Sequence, residues 1–120
     1  MGKKDELRLT DYPGHILEAI ERIFSYVEDS DLMAFEKDRK TQDAVVRNFE
    51  IIGEASNNVR QYFREFADAH PEIPWKLAYE LRNVLAHGYY LVDLEIVWSA
   101  IHNQLPDLAR RVEDARNANN

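Results

Sequence analysis

At 120 residues the chain is one domain's length, long enough to bury roughly two-thirds of its unfolded surface without staples. With 45% hydrophobic and 31% charged residues it has a globular rather than a disordered composition. Fifteen basic against 22 acidic residues leave a net charge of −7, which excludes a general polyanion binder but not a local basic site. The absence of cysteine excludes disulfides, thiolate zinc sites and a cysteine nucleophile.

The first helix is predicted after Asp11-Tyr12-Pro13. Ile16, Ile20, Ile23 and Val27 recur at helical spacing, joined by Leu17 and Phe24. Thr10 or Asp11 can cap it, and Pro13 suits a first turn. Ser30-Asp31 opens a connector with Leu32, Met33 and Phe35, read as one short extra helix.

A second helix is predicted over roughly Thr41 to Ala69, about 40 Å at 1.5 Å per residue. Val45, Phe49, Ile52, Val59, Phe63 and Phe66 form its apolar stripe. Gly53 lies mid-helix at a cost of roughly 1 kcal/mol against alanine, a cost that close approach of a neighbouring backbone would offset. The polar stretch Glu54 to Arg64 is expected to face both a core and a cleft.

His70-Pro71-Glu72-Ile73-Pro74 ends that helix and starts a third, with Pro74 in its first turn. Trp75, Leu77, Ala78, Leu81 and Leu85 make its buried side, and Gly88 stands where a C-terminal glycine would end it. Asp93 is the expected N-cap of a fourth helix, with Val92 and Val97 as a hydrophobic staple. Leu94, Val97, Ile101, Leu105, Leu108 and Val112 carry its stripe, and Pro106 should kink or break it. The expected fold is all-α: an antiparallel four-helix bundle with the short extra helix. Residues 1–10 read as an N-terminal tail, 11–116 as the helical domain and 117–120 as a frayed end.

No targeting segment is read in the charged start, and no run approaches the ~18–20 apolar residues of a membrane span. The expected setting is the cytoplasm, with no membrane partner. Separated glycines exclude a phosphate-cradling glycine loop, and His15, His70, His87 and His102 are too far apart for a His-x-x-x-His metal pair.

The residues suited to chemistry lie in Arg82-Asn83-Val84-Leu85-Ala86-His87-Gly88-Tyr89-Tyr90. Arginine grips phosphate bidentately and stays charged; histidine exchanges a proton near neutral pH. On an ideal helix Arg82 and His87 would point about 140° apart, so the helix must end near His87 for both to reach one ligand. With that geometry, His87 could move a 2′-hydroxyl proton of RNA while Arg82 stabilises the charged phosphorane, without metal. Plainer roles compete: Arg82 as a partner of Glu80 or Glu54, His87 as a cation at a helix C-terminus, and Tyr89 and Tyr90 as loop anchors. Arg47, Arg60, Arg64, Lys76 and Arg82 could line a basic surface, or stand as scattered solvated cations.

The same segment resembles the Arg-x4-6-His motif of HEPN domains. In its form Arg-x4-His-x-Tyr it is similar to the HepT-like toxins that pair with minimal nucleotidyltransferase antitoxins. Ile51-Ile52-Gly53-Glu54-Ala55, Ile73-Pro74-Trp75 and Val92-Asp93-Leu94-Glu95-Ile96-Val97-Trp98 resemble family signatures in its second, third and fourth helices. The resemblance spans about residues 12 to 112.

It implies a homodimer whose two motifs face one cleft, and a metal-independent endoribonuclease toxin that needs no cofactor. Arg82 and His87 then carry catalysis, with Asn83 as a supporting polar residue. Tyr89, rather than Tyr90, becomes the tyrosine that the antitoxin modifies with AMP. Glu54 is a candidate cleft residue. The partners implied are RNA and the nucleotidyltransferase antitoxin in a hetero-oligomer. The alternative is a non-catalytic helical bundle that binds substrate or nucleotide for a nucleotidyltransferase.

Overall fold

The computed structural model describes residues 11–76, 78–79 and 93–118. Among them there are helices and no strand: α1 (Asp11–Val27), α2 (Leu32–Lys37), α3 (Arg39–Tyr62), α4 (Arg64–Ala69), α5 (Leu94–Asn103) and α6 (Leu105–Ala118). Trp75, Lys76, Ala78 and Tyr79 are helical as well, in the stretch predicted to open the third helix. The fold is therefore an all-α helical bundle, with the predicted short extra helix present as α2. None of the described helices is long and apolar enough to cross a membrane.

The apolar spacing of α1 becomes a buried seam. Ile16, Ile20, Ile23 and Val27 are buried, with Leu17 and Phe24 packed at its edge. α1 lies chiefly against α3, whose Val45, Phe49, Ile52 and Val59 are likewise buried, and its second neighbour is α6. α6 contributes Leu105, Leu108, Val112 and Ala115 to the core, and α5 contributes Val97, Ala100 and Ile101. Burial of such side chains contributes roughly 1.5–3 kcal/mol each, before conformational entropy is set against it.

Caps define most ends. Asp31 accepts the backbone N–H of Ala34 at 2.8 Å and starts α2. Asp38 accepts the backbone N–H of Thr41 at 3.1 Å and starts α3. The Thr41 backbone and hydroxyl hydrogen bonds hold the Asp38 carboxyl below its ordinary range. Asp93 accepts from the N–H groups of Glu95 and Ile96 and starts α5, in the capping role its position predicted. Val92, the predicted staple partner, lies outside the described residues. Phe35 is the buried residue of α2; it lies against the Trp98 ring at 5.3 Å, and its carbonyl accepts from Gln42 Nε2 at 2.8 Å. The short helix thereby ties α3 to α5.

The second predicted helix is not continuous. Phe63 leaves the helical region at φ −132°, ψ 54°, separating α3 from α4. No proline causes the break. It lets Phe63 turn toward the Tyr12 ring, 5.6 Å away, while Phe66 turns into a separate wall against Trp75 at 6.0 Å. The interruption expected at Pro106 does occur: α5 ends at Asn103, and α6 begins at Leu105 with Pro106 in its first turn. α6 continues through Asn117 and Ala118, residues that the sequence assigns to the C-terminal tail.

Phe49 sits at the centre of the α1–α3 seam with 1% exposure. Phe49→Ala should cost roughly 3–5 kcal/mol of unfolding free energy, measured by denaturant unfolding. A cost below about 1 kcal/mol would show that the seam repacks freely.

Candidate functional site

Arg82, Asn83, His87 and Tyr89, the residues to which the sequence assigns chemistry, lie outside the described residues, as does Tyr90. The segment immediately before them is described in detail. His70 closes α4 with its N–H on the Ala67 carbonyl at 3.2 Å. Ile73 N–H then bonds back to the His70 carbonyl at 3.1 Å, and Ala78 N–H bonds to the Pro74 carbonyl at 2.9 Å. Pro74 thus stands where its missing donor costs nothing and its carbonyl accepts a first helical bond.

This start is held from several sides. Ile73 and Trp75 are buried. The His70 ring lies 4.6 Å from Phe66, and its Nδ1 is 3.0 Å from a Glu72 carboxyl oxygen. The Glu72 carboxyl is held below its ordinary range, first by its own backbone N–H and then by His70. Arg111 reaches across from α6 and donates to the Glu72 carbonyl at 2.7 Å. Arg111 is fixed in turn by Asp107, whose carboxyl also receives Arg110. The turn preceding Arg82 in the sequence is therefore fastened to the core by packing and to α6 by a charged tether.

Beside that turn lies an open cleft of about 380 Å³ lined by Asn57, Arg60, Gln61, Arg64, Ala67 and Asp68. Asn57, Arg60 and Gln61 share one face of α3 at i, i+3 and i+4, while Ala55, Ser56 and Val59 are buried; Arg64, Ala67 and Asp68 come from α4, past the break at Phe63. The stretch from Glu54 to Arg64 does face both a core and a cleft. A neighbouring depression shares Arg60 and Asp68 and adds Lys76 and Trp75. The guanidinium of Arg60 lies 5.9 Å from the centre of the Tyr79 ring.

Of the cations proposed from sequence as a basic lining, Arg60, Arg64 and Lys76 are brought together. Arg47 is not; it pairs with Glu50. Glu54 is an exposed side chain of α3 and lines neither depression; its relation to the motif lies outside the described residues. The lining roles of Asn57, Gln61 and Asp68 were missed. The i, i+3, i+4 spacing about Arg60 signals Asn57 and Gln61, and Asp68 follows Arg64 at i+4 on α4.

A family profile described as ribonuclease HepT-like matches residues 16–115, most of the chain. The chain belongs to the HepT-like ribonuclease family. That membership makes it a ribonuclease, and it agrees with the resemblance read from the motif. The chain is 40% identical over 106 residues to the probable ribonuclease HepT of Thermococcus cleftensis, covering 88% of this chain and 94% of that protein. It is 36% identical over 99 residues to a candidate RNase of Methanocaldococcus jannaschii, covering 82% and 79% respectively. A candidate RNase of Caldanaerobacter subterraneus is 36% identical over 103 residues, covering 86% of this chain and 89% of that protein. No solved structure matches the chain.

The tether makes a pH-dependent prediction. Arg110 and Arg111 hold the Asp107 carboxyl below its ordinary range. A carboxylate with a depressed folded-state pKa stabilises the fold above its unfolded value, and that contribution is lost as pH falls through the folded one. Asp107→Asn should therefore be less stable than wild type at about pH 6, with the difference closing by about pH 2. Urea unfolding at a series of pH values measures it. A stability gap that stays constant through the acid range would mean that the carboxylate charge has no part in holding the tether.

Proposed function

We propose that this ribonuclease is a metal-independent endoribonuclease toxin, silenced by a minimal nucleotidyltransferase antitoxin that adenylylates Tyr89. The supporting observation is the family match over residues 16–115, inside which the sequence carries the full Arg82…His87-x-Tyr89 set. A bundle that only binds nucleotide for a partner has no need of that set. The protein works in the cytoplasm as a homodimer and assembles with its antitoxin.

In this mechanism the RNA 2′-hydroxyl attacks the adjacent phosphorus while His87 removes its proton. Arg82 neutralises the charge that builds on the phosphorane oxygens, with Asn83 as a supporting donor. The 5′-oxygen leaves and takes a proton, giving a cyclic phosphate on one product and a free hydroxyl on the other. One motif supplies one histidine, whereas a symmetric dimer offers the partner's copy as the second proton-handling group. Silencing follows from the same electrostatics. The Tyr89 hydroxyl attacks the α-phosphorus of ATP and releases pyrophosphate. The bound AMP then sets a bulky anion beside the cation meant for the scissile phosphate.

His87→Ala should lose RNA cleavage by ~10²–10⁴-fold or more, with the helical circular dichroism of wild type. Chelator should leave wild-type cleavage unchanged. An active His87→Ala protein, or cleavage that stops with chelator, refutes the scheme. After co-expression with the antitoxin, peptide mass mapping should find the AMP adduct on Tyr89 and lose it in Tyr89→Phe. An adduct on Tyr90 with Tyr89 bare would assign the switch to the wrong residue.

A further inference from the structure

The surface arginines are sorted by their partners. Arg22, Arg39, Arg47, Arg110, Arg111 and Arg116 each form an ion pair with an aspartate or glutamate. Among the described residues, Arg60 and Arg64 have no carboxylate within ion-pair distance, and both line the same cleft. They are four residues apart across the Phe63 break and line one cleft from two helices, so two like charges face the same space. Asp68, four residues after Arg64, is the natural helical partner and lines the cleft with it, yet the two form no ion pair. In a chain of net charge −7, carboxylates are plentiful and cations scarce. Two guanidinium groups in one cleft without a carboxylate partner are the exception among the described arginines.

Their surroundings favour a phosphodiester. All of the cleft lining except Ala67 is polar, and the Asn57 and Gln61 side chains line it together with the two arginines. Guanidinium forks grip phosphate oxygens bidentately, and amides bond to phosphate or to sugar hydroxyls. The Tyr79 ring, 5.9 Å from the Arg60 guanidinium, adds an aromatic neighbour to that cation. Position also matters. The neighbouring depression runs from Arg60 to Trp75 and Lys76, at the start of the helical stretch that leads in sequence to Arg82.

We propose that the Arg60–Arg64 cleft holds the sugar–phosphate backbone of the RNA substrate, away from the bond that is cut. It is a positioning site, and it rests on the ribonuclease reading above. The site reads charge and backbone rather than base sequence. It also accounts for RNA binding by an acidic protein: the general surface repels the strand, and the unpaired arginines admit it at one place. Holding the strand there contributes to binding in ground and transition states alike, so its loss raises KM and leaves kcat nearly unchanged.

The test uses the full chain, a short single-stranded RNA and its 2′-O-methyl analogue, which cannot be cut by 2′-hydroxyl attack. Binding is followed by fluorescence anisotropy over a salt series. Arg60→Gln combined with Arg64→Gln should weaken binding of the analogue by ~10-fold or more. It should also make the slope of log K against log salt shallower by about 1.4, the share of two phosphates on a single strand. With the cleavable RNA, KM should rise while kcat stays within about twofold. Arg60→Lys combined with Arg64→Lys keeps both charges and should recover the salt slope, which separates charge from folding damage.

A glutamine variant that matches wild type in affinity and slope, while wild type cuts RNA, overturns this inference alone. That result would assign the two cations to another occupant, such as an acidic protein face. A kcat that falls as far as kcat/KM would likewise overturn it, because the cleft would then act at the scissile bond. A wild type that neither binds nor cuts RNA refutes the ribonuclease reading itself and takes this inference with it.

Discussion

The seam between α1 and α3 sets which face of α3 the protein shows to water. Ile16, Ile20 and Ile23 on one side and Val45, Phe49 and Ile52 on the other are almost wholly buried. That burial commits one face of α3 to the core, and with it fixes which residues the helix can show to water. Ala55, Ser56 and Val59 go inward, so Asn57, Arg60 and Gln61 go outward together. One wall of the cleft is thus a consequence of the register of α3, and the break at Phe63 lets α4 supply the other with Arg64, Ala67 and Asp68.

The second constraint is the fastening of the turn from His70 to Tyr79. Trp75 and Ile73 anchor it by burial, and Arg111 ties its carbonyl at Glu72 to α6. Proximity catalysis tolerates little positional error, so the proposed roles of Arg82 and His87 would benefit from such a fixed starting point. The tether is exposed enough that its value lies in geometry more than in energy, since surface ion pairs contribute little stability.

Much of this was legible in the sequence because periodicity and capping are local. The apolar stripes, the Asp93 cap, the short helix at Leu32 and the interruption at Pro106 all follow from residues within a few positions of one another. The break at Phe63 was not legible, because no proline or glycine marks it. It depends on contacts with Tyr12 and on the separate packing of Phe66 against Trp75, which are tertiary facts. For the same reason the basic lining was only half legible. Charge alone could not separate Arg47, paired with Glu50, from Arg60 and Arg64, which form no ion pair among the described residues. The catalytic assignment of Arg82 and His87 came from motif resemblance, and the family match bears on that resemblance rather than on the geometry of those side chains.

The chemistry of the product ends tests the central claim most directly. Purified protein would cut a defined RNA in the presence of chelator, and mass spectrometry would read both new ends. Attack by the 2′-hydroxyl with protons moved by His87 predicts a 2′,3′-cyclic phosphate facing a 5′-hydroxyl. Ends bearing a 5′-phosphate, formed only when divalent metal is restored, would contradict the account.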